Sequence, residues 1–364
     1  MPKETIWDLA PHTGAKHEIL TGYLKAWFPV LARYRGRIVL LDAFAGPGSY
    51  SNGEPGSPLL AIRTLLGHSY LDEMIANCEI LMIFNEHDKK RFKALESAIE
   101  NEQSTYANWP ENLRVHAVNE NFVNLAEDIL EQLDGAQLAP TFAFLDPFGY
   151  RDVPMDLIAR LLAYKRCELF IYFDYNSVSR FATAGNVDDA LTALYGTDEF
   201  KDAPPAGDPD RPGFLLALYE RQLREVCGFE HVQSFAMLNN QNKINNYMIF
   251  CTRSLKGLNT MKTAMWKVDP MGEYRFADRL ANKPVLFGLT DPDMSPLRDA
   301  LLDVFGGQSV RIEDIEEFVI AETPYLQSHI KRRTLVPMID EGWARSSNMR
   351  RGQFPPGTIV TFAG

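Results

Sequence analysis

The sequence predicts an α/β fold, with a doubly wound, Rossmann-like sheet followed by a smaller C-terminal winged-helix domain. Short apolar runs alternate with segments of helical periodicity through the first 255 residues, as in a sheet covered by helices. The first run ends in a glycine turn, within RIVLLDAFAGPGSY (37–50). Three helix-period segments and two extended pieces close the chain. We therefore expect the sheet domain over 1–255, a connecting segment over 256–295 and the winged helix-turn-helix over 296–364.

The composition limits what the chain does. With 46% hydrophobic and 23% charged residues, its 364 residues are sufficient to bury a sizeable core. No apolar run approaches the ~18 residues of a membrane span, and the N-terminal segment lacks the apolar core of a signal peptide, so we expect a cytoplasmic protein without a membrane anchor. A formal net charge of −11 argues against non-specific coating of nucleic acid. The scattered cysteines predict neither a zinc site nor disulfides: Cys78, Cys167, Cys227 and Cys251.

The end of the first strand predicts a cofactor site. The apolar run Ile38–Leu41 is typical of a buried strand, and it stops at Asp42. Gly46 and Gly48 follow, and without side chains they would let a ligand approach the backbone closely. The turn lacks the third glycine of the dinucleotide fingerprint, because Ser51 lies three residues after Gly48, so NAD is disfavoured. We expect a cofactor that contains a nucleoside.

Polar residues also follow the next two predicted strands. Glu86 comes directly after the second strand, where a carboxylate accepts hydrogen bonds from ribose hydroxyls, and Asp88 is the competing candidate. The weaker strand Leu113–Val118 precedes Glu120 and Asn121. These two residues are candidates for contact with an adenine amino group, with capping of the following helix as the alternative.

The fourth predicted strand, Thr141–Leu145, ends in the motif DPFGY. Amino groups on nucleobases are poor nucleophiles because the nitrogen lone pair is delocalised into the ring. Acceptors on the amine protons push the nitrogen toward tetrahedral geometry, and the Asp146 carboxylate and the Pro147 carbonyl are such acceptors, held in fixed relation by the locked φ of proline. Phe148 or Tyr150 would stack on the base. The alternative is a simple turn, since D-P-x-G is also good turn chemistry.

The remaining part of the first domain carries weaker signals. Asp174 and Asn176 follow the fifth predicted strand, and they either line the target pocket or are ordinary polar loop residues. A helical insertion over about 183–228 contains DAPPAGDPDRPG, which is rich in turn residues. We expect a final antiparallel pair of strands, His231–Leu238 and Tyr247–Thr252.

These motifs together resemble the three-Cys-motif partner (TcmP) family, bacterial methyltransferase-like proteins named for a neighbouring gene that encodes a three-cysteine-motif protein. The resemblance rests on KHEILTGYLKAWFPVL, LLDAFAGPGSY, GEPGSP, FAFLDPFGY, LFIYFDYNSVSRF and MKTAMWKVDP. It covers the N-terminal three quarters and, less specifically, the winged C-terminus. It implies the class I methyltransferase fold, whose sheet a final antiparallel pair usually closes, and S-adenosylmethionine (SAM) as cofactor.

Two local resemblances refine this expectation. The first turn is similar to that of bacterial rRNA adenine-N6 methyltransferases, and Lys16-His17, which opens the predicted helix Lys16–Tyr34, is similar to a Lys-His pair in one such group, where the His contacts SAM. DPFG departs from the usual adenine-N6 pattern, in which a second proline follows the first, and resembles the motif of tRNA guanine-N2 enzymes. The expected cofactor-binding residues are His17, Asp42, Phe44, Ala45, Gly46, Gly48, Glu86, Glu120 and Asn121.

The expected function is therefore methyl transfer from SAM to an exocyclic amino group of a nucleic-acid base, adenine N6 or guanine N2. Asp146, Pro147 and Phe148 form the expected catalytic set, and no metal is expected. Nucleic acid, RNA or DNA, is the expected partner, and the three-cysteine-motif protein is a second candidate partner. The alternative is a non-catalytic protein that binds nucleic acid or a partner on a methyltransferase scaffold. Basic and polar residues of the winged domain are the expected contacts: Ser328, His329, Lys331, Arg332 and Arg333 on or near the recognition helix, and Arg350 and Arg351 on the wing.

Overall fold

The computed structural model describes residues 5–6, 11–33, 36–185, 187–239, 241, 243–277 and 292–364. The chain divides into two compact units, and the first unit includes the residues up to Ser254 together with Phe276 and Ala277. The helix that follows Ser254 belongs to the second unit. Part of the connecting segment predicted over 256–295 lies outside the described residues, so its limits stay a prediction.

The first unit is built on one large sheet. Its order is β3-β2-β1-β4-β5-β7-β6-β8, in which β1 to β5 are parallel and β7 is antiparallel to both of its neighbours. The predicted α/β fold class and the closing antiparallel pair are confirmed. The strands are β1 Gly36–Asp42, β2 Cys78–Asn85, β3 Leu113–Val118, β4 Thr141–Leu145, β5 Glu168–Phe173, β6 His231–Leu238, β7 Ile244–Thr252 and β8 Arg275–Ala277.

Helices connect the parallel strands. Two of them, α3 and α7, were not predicted, and α7 begins directly after Asp174 in the polar segment that follows β5. Pro29 lies inside α1, in its last turn, and cannot donate to the Lys25 carbonyl, which instead lies 3.0 Å from the His68 Nε2. The helices are α1 Pro11–Leu31, α2 Ser57–Leu66, α3 Leu71–Asn77, α4 Lys89–Ser104, α5 Phe122–Leu133, α6 Met155–Leu161, α7 Tyr175–Phe181, α8 Asp188–Tyr195, a 3₁₀ turn Glu199–Asp202 and α9 Arg211–Glu225.

The core of the first unit lies on both faces of the central strands. All five residues of β4 are buried, as are the last five of β1, which explains why these strands are continuously apolar instead of alternating. The buried carboxyl of Glu168, at the amino end of β5, accepts hydrogen bonds from the Tyr23 hydroxyl at 2.6 Å and the Thr252 hydroxyl at 2.7 Å. Burial raises the pKa of Glu168. These hydrogen bonds therefore hold α1 and β7 against β5 at the amino ends of the parallel strands, opposite the candidate ligand-binding end.

The second unit contains five helices and a small antiparallel sheet of order β10-β11-β9 within the described residues. Three helices followed by two extended pieces were predicted, and the structure adds a third strand, β9, between the first two of those helices. A π-helical turn, Lys331–Leu335, interrupts the third of them ahead of Pro337, which cannot donate a helical hydrogen bond. The elements are α10 Leu255–Val268, α11 Ser295–Phe305, β9 Ser309–Arg311, α12 Ile312–Glu322, α13 Gln327–Ile330, α14 Val336–Asp340, β10 Ala344–Ser346 and β11 Ile359–Phe362.

None of the described helices is long and apolar enough to cross a membrane. The four cysteines are buried free thiols. The described residues contain no group of three or more His, Cys, Asp or Glu side chains arranged to hold a metal ion.

Candidate functional site

The candidate site lies where the strand order reverses, at the carboxyl ends of the parallel strands. Asp42, the last residue of β1, is in register with Phe84 of β2 on one side and with Phe144 of β4 on the other. Glu86 and Asp146 each follow two residues after those partners. The register therefore brings three carboxylates to one edge of the sheet, at the switch point where open α/β sheets bind ligands.

Asp42 organises the turn after β1. Its Oδ1 accepts the Phe44 backbone N–H at 3.2 Å, and its Oδ2 accepts the Ser57 hydroxyl at 2.6 Å. The residue is 2% exposed, and burial raises its pKa to about 7 against the opposing effect of these two hydrogen bonds. Asp42 does not line either of the two cavities at this site. It therefore affects their shape only by holding the glycine turn in place. Gly56 occupies the cap position of α2, and the hydroxyl of Ser57, the first residue of that helix, donates to Asp42.

The glycines of this turn are required by packing. Gly48 has φ +82°, and a Cβ there would lie 3.0 Å from the Ala98 Cβ and 3.3 Å from the Leu95 Cδ1, both on α4. A Cβ at Gly56 would lie 2.9 Å from the Gly48 carbonyl oxygen. Close approach of a ligand was the reason expected for Gly48, but contact with α4 already accounts for the missing side chain. Gly46, with φ +64°, lines the second cavity.

The first cavity, of about 710 Å³, lies beyond the ends of β1, β2 and β3. Glu86 is nearly buried in its wall, and its Oε1 accepts the Asp88 N–H at 2.7 Å. Burial raises the pKa of Glu86, partly offset by that hydrogen bond and by the charge of Arg91. The competing candidate Asp88 caps α4 through the backbone N–H groups of Lys90 and Arg91. The lining includes Ala43, Phe44, Asn85, Glu86, Asp88, Arg91, Asn121, Phe122, Phe148 and Asp152.

Of the two polar residues that follow β3, only one lines this cavity. Asn121 lines it, while its side chain also caps α5 by accepting the Asn124 N–H at 2.9 Å. Glu120 is exposed and does not line either cavity. Its backbone is held by the buried side chain of Asn85, which contacts both the Glu120 N–H and its carbonyl oxygen. Of the two residues expected near an adenine, the structure therefore brings only Asn121 to the cavity.

The second cavity, of about 470 Å³, lies between the glycine turn, α1 and the ends of β4 and β5. It adjoins the first cavity, because Phe44 and Phe148 line both. The expected residues brought to it include His17, Ala45, Gly46 and Asp146. Its lining is Thr13, Lys16, His17, Phe44, Ala45, Gly46, Pro47, Gly48, Ser49, Tyr50, Gly56, Ser57, Asp146, Pro147, Phe148, Gly149, Tyr172, Asp174 and Ser177.

Lys16 carries a positive charge into the second cavity. Its Nζ lies 2.5 Å from the Asp146 Oδ2 and 4.8 Å from the centroid of the Tyr172 ring. The Lys16-His17 pair was expected to open the first helix, but α1 begins at Pro11, so both residues stand in its second turn. The sequence signal for Lys16 was this pair alone. The structure instead makes Lys16 the partner of the expected catalytic carboxylate.

His17 is neutral near pH 7. Burial and the adjacent Lys16 charge lower the pKa of His17 to about 4, against a smaller opposing effect of Asp146. Its ring centroid lies 5.9 Å from that of Tyr50. In this state the imidazole offers one donor and one acceptor to a ligand.

The two aromatic residues of the DPFGY motif lie in different environments. Phe148 is 40% exposed, lines both cavities and carries the Arg91 guanidinium 5.3 Å from its ring centroid. Tyr150 is 8% exposed and packs against Phe181 in the core, so it is not placed to stack on a base in either cavity. The Pro147 carbonyl accepts the Gly149 N–H at 3.1 Å, which leaves a second lone pair.

The two polar residues after β5 also differ in position. Asp174 lines the second cavity and caps α7, where its Oδ1 accepts the Ser177 N–H at 3.1 Å. Asn176 is exposed, and its amide donates to the Asn245 Oδ1 at 3.3 Å, outside the cavity. Sequence reasoning missed Tyr172, since an aromatic residue within a buried strand carries no signal that distinguishes it from core.

No known protein-family model and no curated protein matches this chain. Among solved structures, this chain is similar to Trm1 from Pyrococcus horikoshii in complex with S-adenosyl-L-methionine, with 15% sequence identity and a TM-score of 0.39. The match covers 71% of this chain and 61% of the Trm1 chain, which is less than two thirds of the length of Trm1. The N-terminal domain of human METTL16 in complex with SAH has 11% identity over 64% of this chain and 68% of that one, with a TM-score of 0.31. A human methyltransferase 10 domain containing protein has 13% identity over 65% and 82%, with a TM-score of 0.30. Because these likenesses are so remote, we infer neither the fold nor the chemistry of this chain from them.

Proposed function

We propose that this protein is a SAM-dependent methyltransferase that acts on an exocyclic amino group of a nucleic-acid base. The observation that carries the proposal is the pair of adjoining cavities at the switch point of the sheet. One has the nearly buried carboxylate of Glu86 in its wall, and the other holds the Lys16–Asp146 pair. If the protein were a scaffold that binds no cofactor, we would expect side chains to fill these two cavities. Their volumes of about 710 and 470 Å³ argue against that alternative.

The first cavity fits the nucleoside half of the cofactor. Glu86 would accept hydrogen bonds from ribose hydroxyls, Asn121 would contact the adenine amino group, and Phe44 and Phe122 supply apolar surface for the ring. The amino-acid half would extend past Gly46 and His17 in the second cavity. When bound, SAM supplies a methyl group on a positively charged sulfur. Asp42 supports this site by fixing the turn.

The second cavity also fits the acceptor amine. The Asp146 carboxylate and the Pro147 carbonyl would accept its two protons and localise the nitrogen lone pair for attack. Lys16 fixes one carboxylate oxygen and leaves the other, Oδ1, without a hydrogen bond to any described residue. Phe148 offers an exposed ring on which the base would stack. The amine loses one proton on methylation, and the Asp146 carboxylate is available to hold it.

The second unit is the proposed contact with nucleic acid. Its order of helices and strands suits a winged helix, and a cleft of about 480 Å³ separates α13 and the π-helical turn from the loop between β10 and β11. Arg332 and Gln353 line the cleft, and Arg350 and Arg351 are exposed at the tip of that loop. We propose that this basic surface holds phosphates. Direct binding of the three-cysteine-motif protein stays a prediction.

His329 is excluded from this surface. It was expected on the recognition helix, but it is 5% exposed and packs edge-on against Trp266 with ring centroids 4.6 Å apart. Its Nδ1 accepts the Leu326 N–H at 3.2 Å. Lys331, by contrast, lines the cleft, where its Nζ lies 2.7 Å from the Glu316 Oε1. A phosphate would therefore compete with Glu316 for Lys331.

Calorimetric titration with SAM, followed by labelled methyl transfer to total RNA and to DNA, tests the proposed function. We expect the wild type to bind SAM and to transfer label to at least one nucleic acid. Asp146→Asn, which keeps the shape and removes the charge, is expected to bind SAM and to transfer poorly. A wild type that neither binds SAM nor transfers label would overturn the proposal, and full activity of Asp146→Asn would overturn the role of Asp146.

A further inference from the structure

We infer that the acceptor base is guanine and that its N2 amine is the group methylated. This inference rests on the proposed function and deepens it by choosing between the two bases that the sequence leaves open. It comes from a second carboxylate, Asp174, which lines the same cavity as Asp146.

The register of the sheet sets the spacing of the two carboxylates. Leu145 of β4 is paired with Ile171 of β5, so Asp146 stands beside Tyr172, and Asp174 lies two residues further along the same face. With a strand spacing of ~4.8 Å and a rise of ~3.3 Å per residue, the two aspartate Cα atoms lie roughly 8 Å apart. Carboxyl groups at that spacing can contact neighbouring atoms on the edge of one base.

The chemistry of carboxylates then selects the base. An ionised carboxylate only accepts hydrogen bonds, so a base that presents its amine to Asp146 must present another donor to Asp174. In guanine the N2 amine is flanked by the ring N1–H, which is such a donor. In adenine the ring nitrogen beside the N6 amine is an acceptor, and in cytosine the same holds for N3 beside the N4 amine. Either base would set a lone pair against a carboxylate, which is a repulsive contact.

Donors for the other guanine atoms are present in the same cavity. The acceptor on the Watson–Crick edge of guanine is O6, which lies beside N1–H and needs a donor, and the Lys16 ammonium and the Ser177 hydroxyl line the same cavity. One oxygen of Asp174 accepts the Ser177 N–H, while Oδ2 makes no hydrogen bond to any described residue. The cavity therefore offers both the acceptors and the donors that the Watson–Crick edge of guanine requires.

The first test identifies the methylated nucleoside. Wild-type protein is incubated with labelled SAM and total RNA or single-stranded DNA, the product is digested, and the nucleosides are separated. We expect the label in N2-methylguanosine or its deoxy form, and none in an oligonucleotide in which inosine, which lacks the amine, replaces guanosine. Label in N6-methyladenine or N4-methylcytosine would overturn the inference and leave the proposed function standing. Absence of both SAM binding and transfer would overturn the proposed function, and the inference with it.

The second test changes Asp174 alone. Asp174→Asn keeps the cap of α7, because Asn and Asp cap helices equally well, but it turns one acceptor oxygen into a donor. We expect kcat/KM on a guanosine oligonucleotide to fall at least about tenfold, with SAM affinity unchanged. The matched control is Asp208→Asn, which alters an aspartate that accepts the Asp210 N–H in the insertion, and full activity is expected. Unchanged kcat/KM in Asp174→Asn would remove Asp174 from the recognition of the base.

Discussion

The Nζ of Lys16 lies 2.5 Å from the Oδ2 of Asp146, with side chains that are 8% and 25% exposed, respectively. The pair joins α1 to the end of β4, across 130 positions in the sequence. Because both side chains are partly withdrawn from water, each charge depends on the other for compensation. The pair also brings a cation into a cavity whose other charged lining groups are carboxylates, Asp146 and Asp174.

Lys16→Met is expected to destabilise the protein by about 1–3 kcal/mol, because it leaves Asp146 partly buried without its partner. The free energy of unfolding is measured by urea denaturation without SAM. The control is Arg160→Met, which breaks the exposed ion pair with Glu127 and should cost less than about 1 kcal/mol. A cost for Lys16→Met no larger than that of the control would contradict the importance of this pair.

Ser57→Ala is expected to cost about 1–3 kcal/mol, because it leaves the buried Oδ2 of Asp42 without its donor. We also expect weaker SAM binding, since Asp42 then holds the glycine turn through the Phe44 N–H alone. Both effects are measured on one preparation, by denaturation and by calorimetry. In the control, Ser104→Ala removes an exposed hydroxyl that donates to the Asn101 carbonyl, and it should leave both quantities nearly unchanged.

Asp42 also predicts a dependence of stability on pH. Burial raises its pKa from 3.8 to about 7, so between these values the folded state binds more protons than the unfolded state. The stability contributed by Asp42 is therefore present below pH 3.8 and is lost as the pH rises through about 7. Asp42→Asn does not titrate, so its free energy of unfolding relative to the wild type should increase from pH 5 to pH 8. Urea unfolding at several pH values measures this difference, and a constant difference would show that Asp42 keeps an ordinary pKa.

Arg332→Ala tests the proposed contact between the second unit and nucleic acid. Each phosphate contact that is lost should lower the slope of log K against log salt by about 1, with little dependence on sequence. The binding of a labelled RNA is followed by fluorescence anisotropy across a salt series. Arg298→Ala removes a partly exposed arginine of α11 that is paired with Asp299, and it should leave the slope unchanged. Equal slopes for the two variants would argue that the cleft does not contact phosphates.

The sequence was sufficient for those parts of the fold that depend on local patterns. The bounds of β3, β4 and β6 were predicted to the residue, because polar or turn-forming residues flank each of these segments. α7 was missed because its seven residues, directly after a strand, are too few to show helical periodicity. The strand β9 has only three residues and forms by pairing with β11, which lies about 50 positions later in the chain.

The candidate site was predictable where a residue's position on a strand end decides its place, as for Glu86 and Asp146. The site was not predictable where packing between elements that are distant in the sequence decides which residues meet. Lys16 reaches Asp146 from another element, and Ser57 serves Asp42 instead of capping its own helix. Glu120 and Asn121 are adjacent in sequence, yet only the second lines a cavity, because the backbone direction at the strand end sets which side chain turns inward.

Phe148→Ala should change mainly the KM for nucleic acid and Tyr150→Ala mainly the stability, although the two aromatic residues are only two positions apart. Phe148 is 40% exposed, so its loss should cost little stability, but it should raise the KM for nucleic acid by an amount that corresponds to about 1–3 kcal/mol of base stacking. Tyr150 is 8% exposed and packs against Phe181, so its truncation should destabilise the protein by about 3 kcal/mol or more. Phe148→Leu keeps apolar surface without a ring and separates stacking from simple burial. If Phe148→Ala loses stability while its KM stays at the wild-type value, Phe148 supports the fold and does not stack on the base.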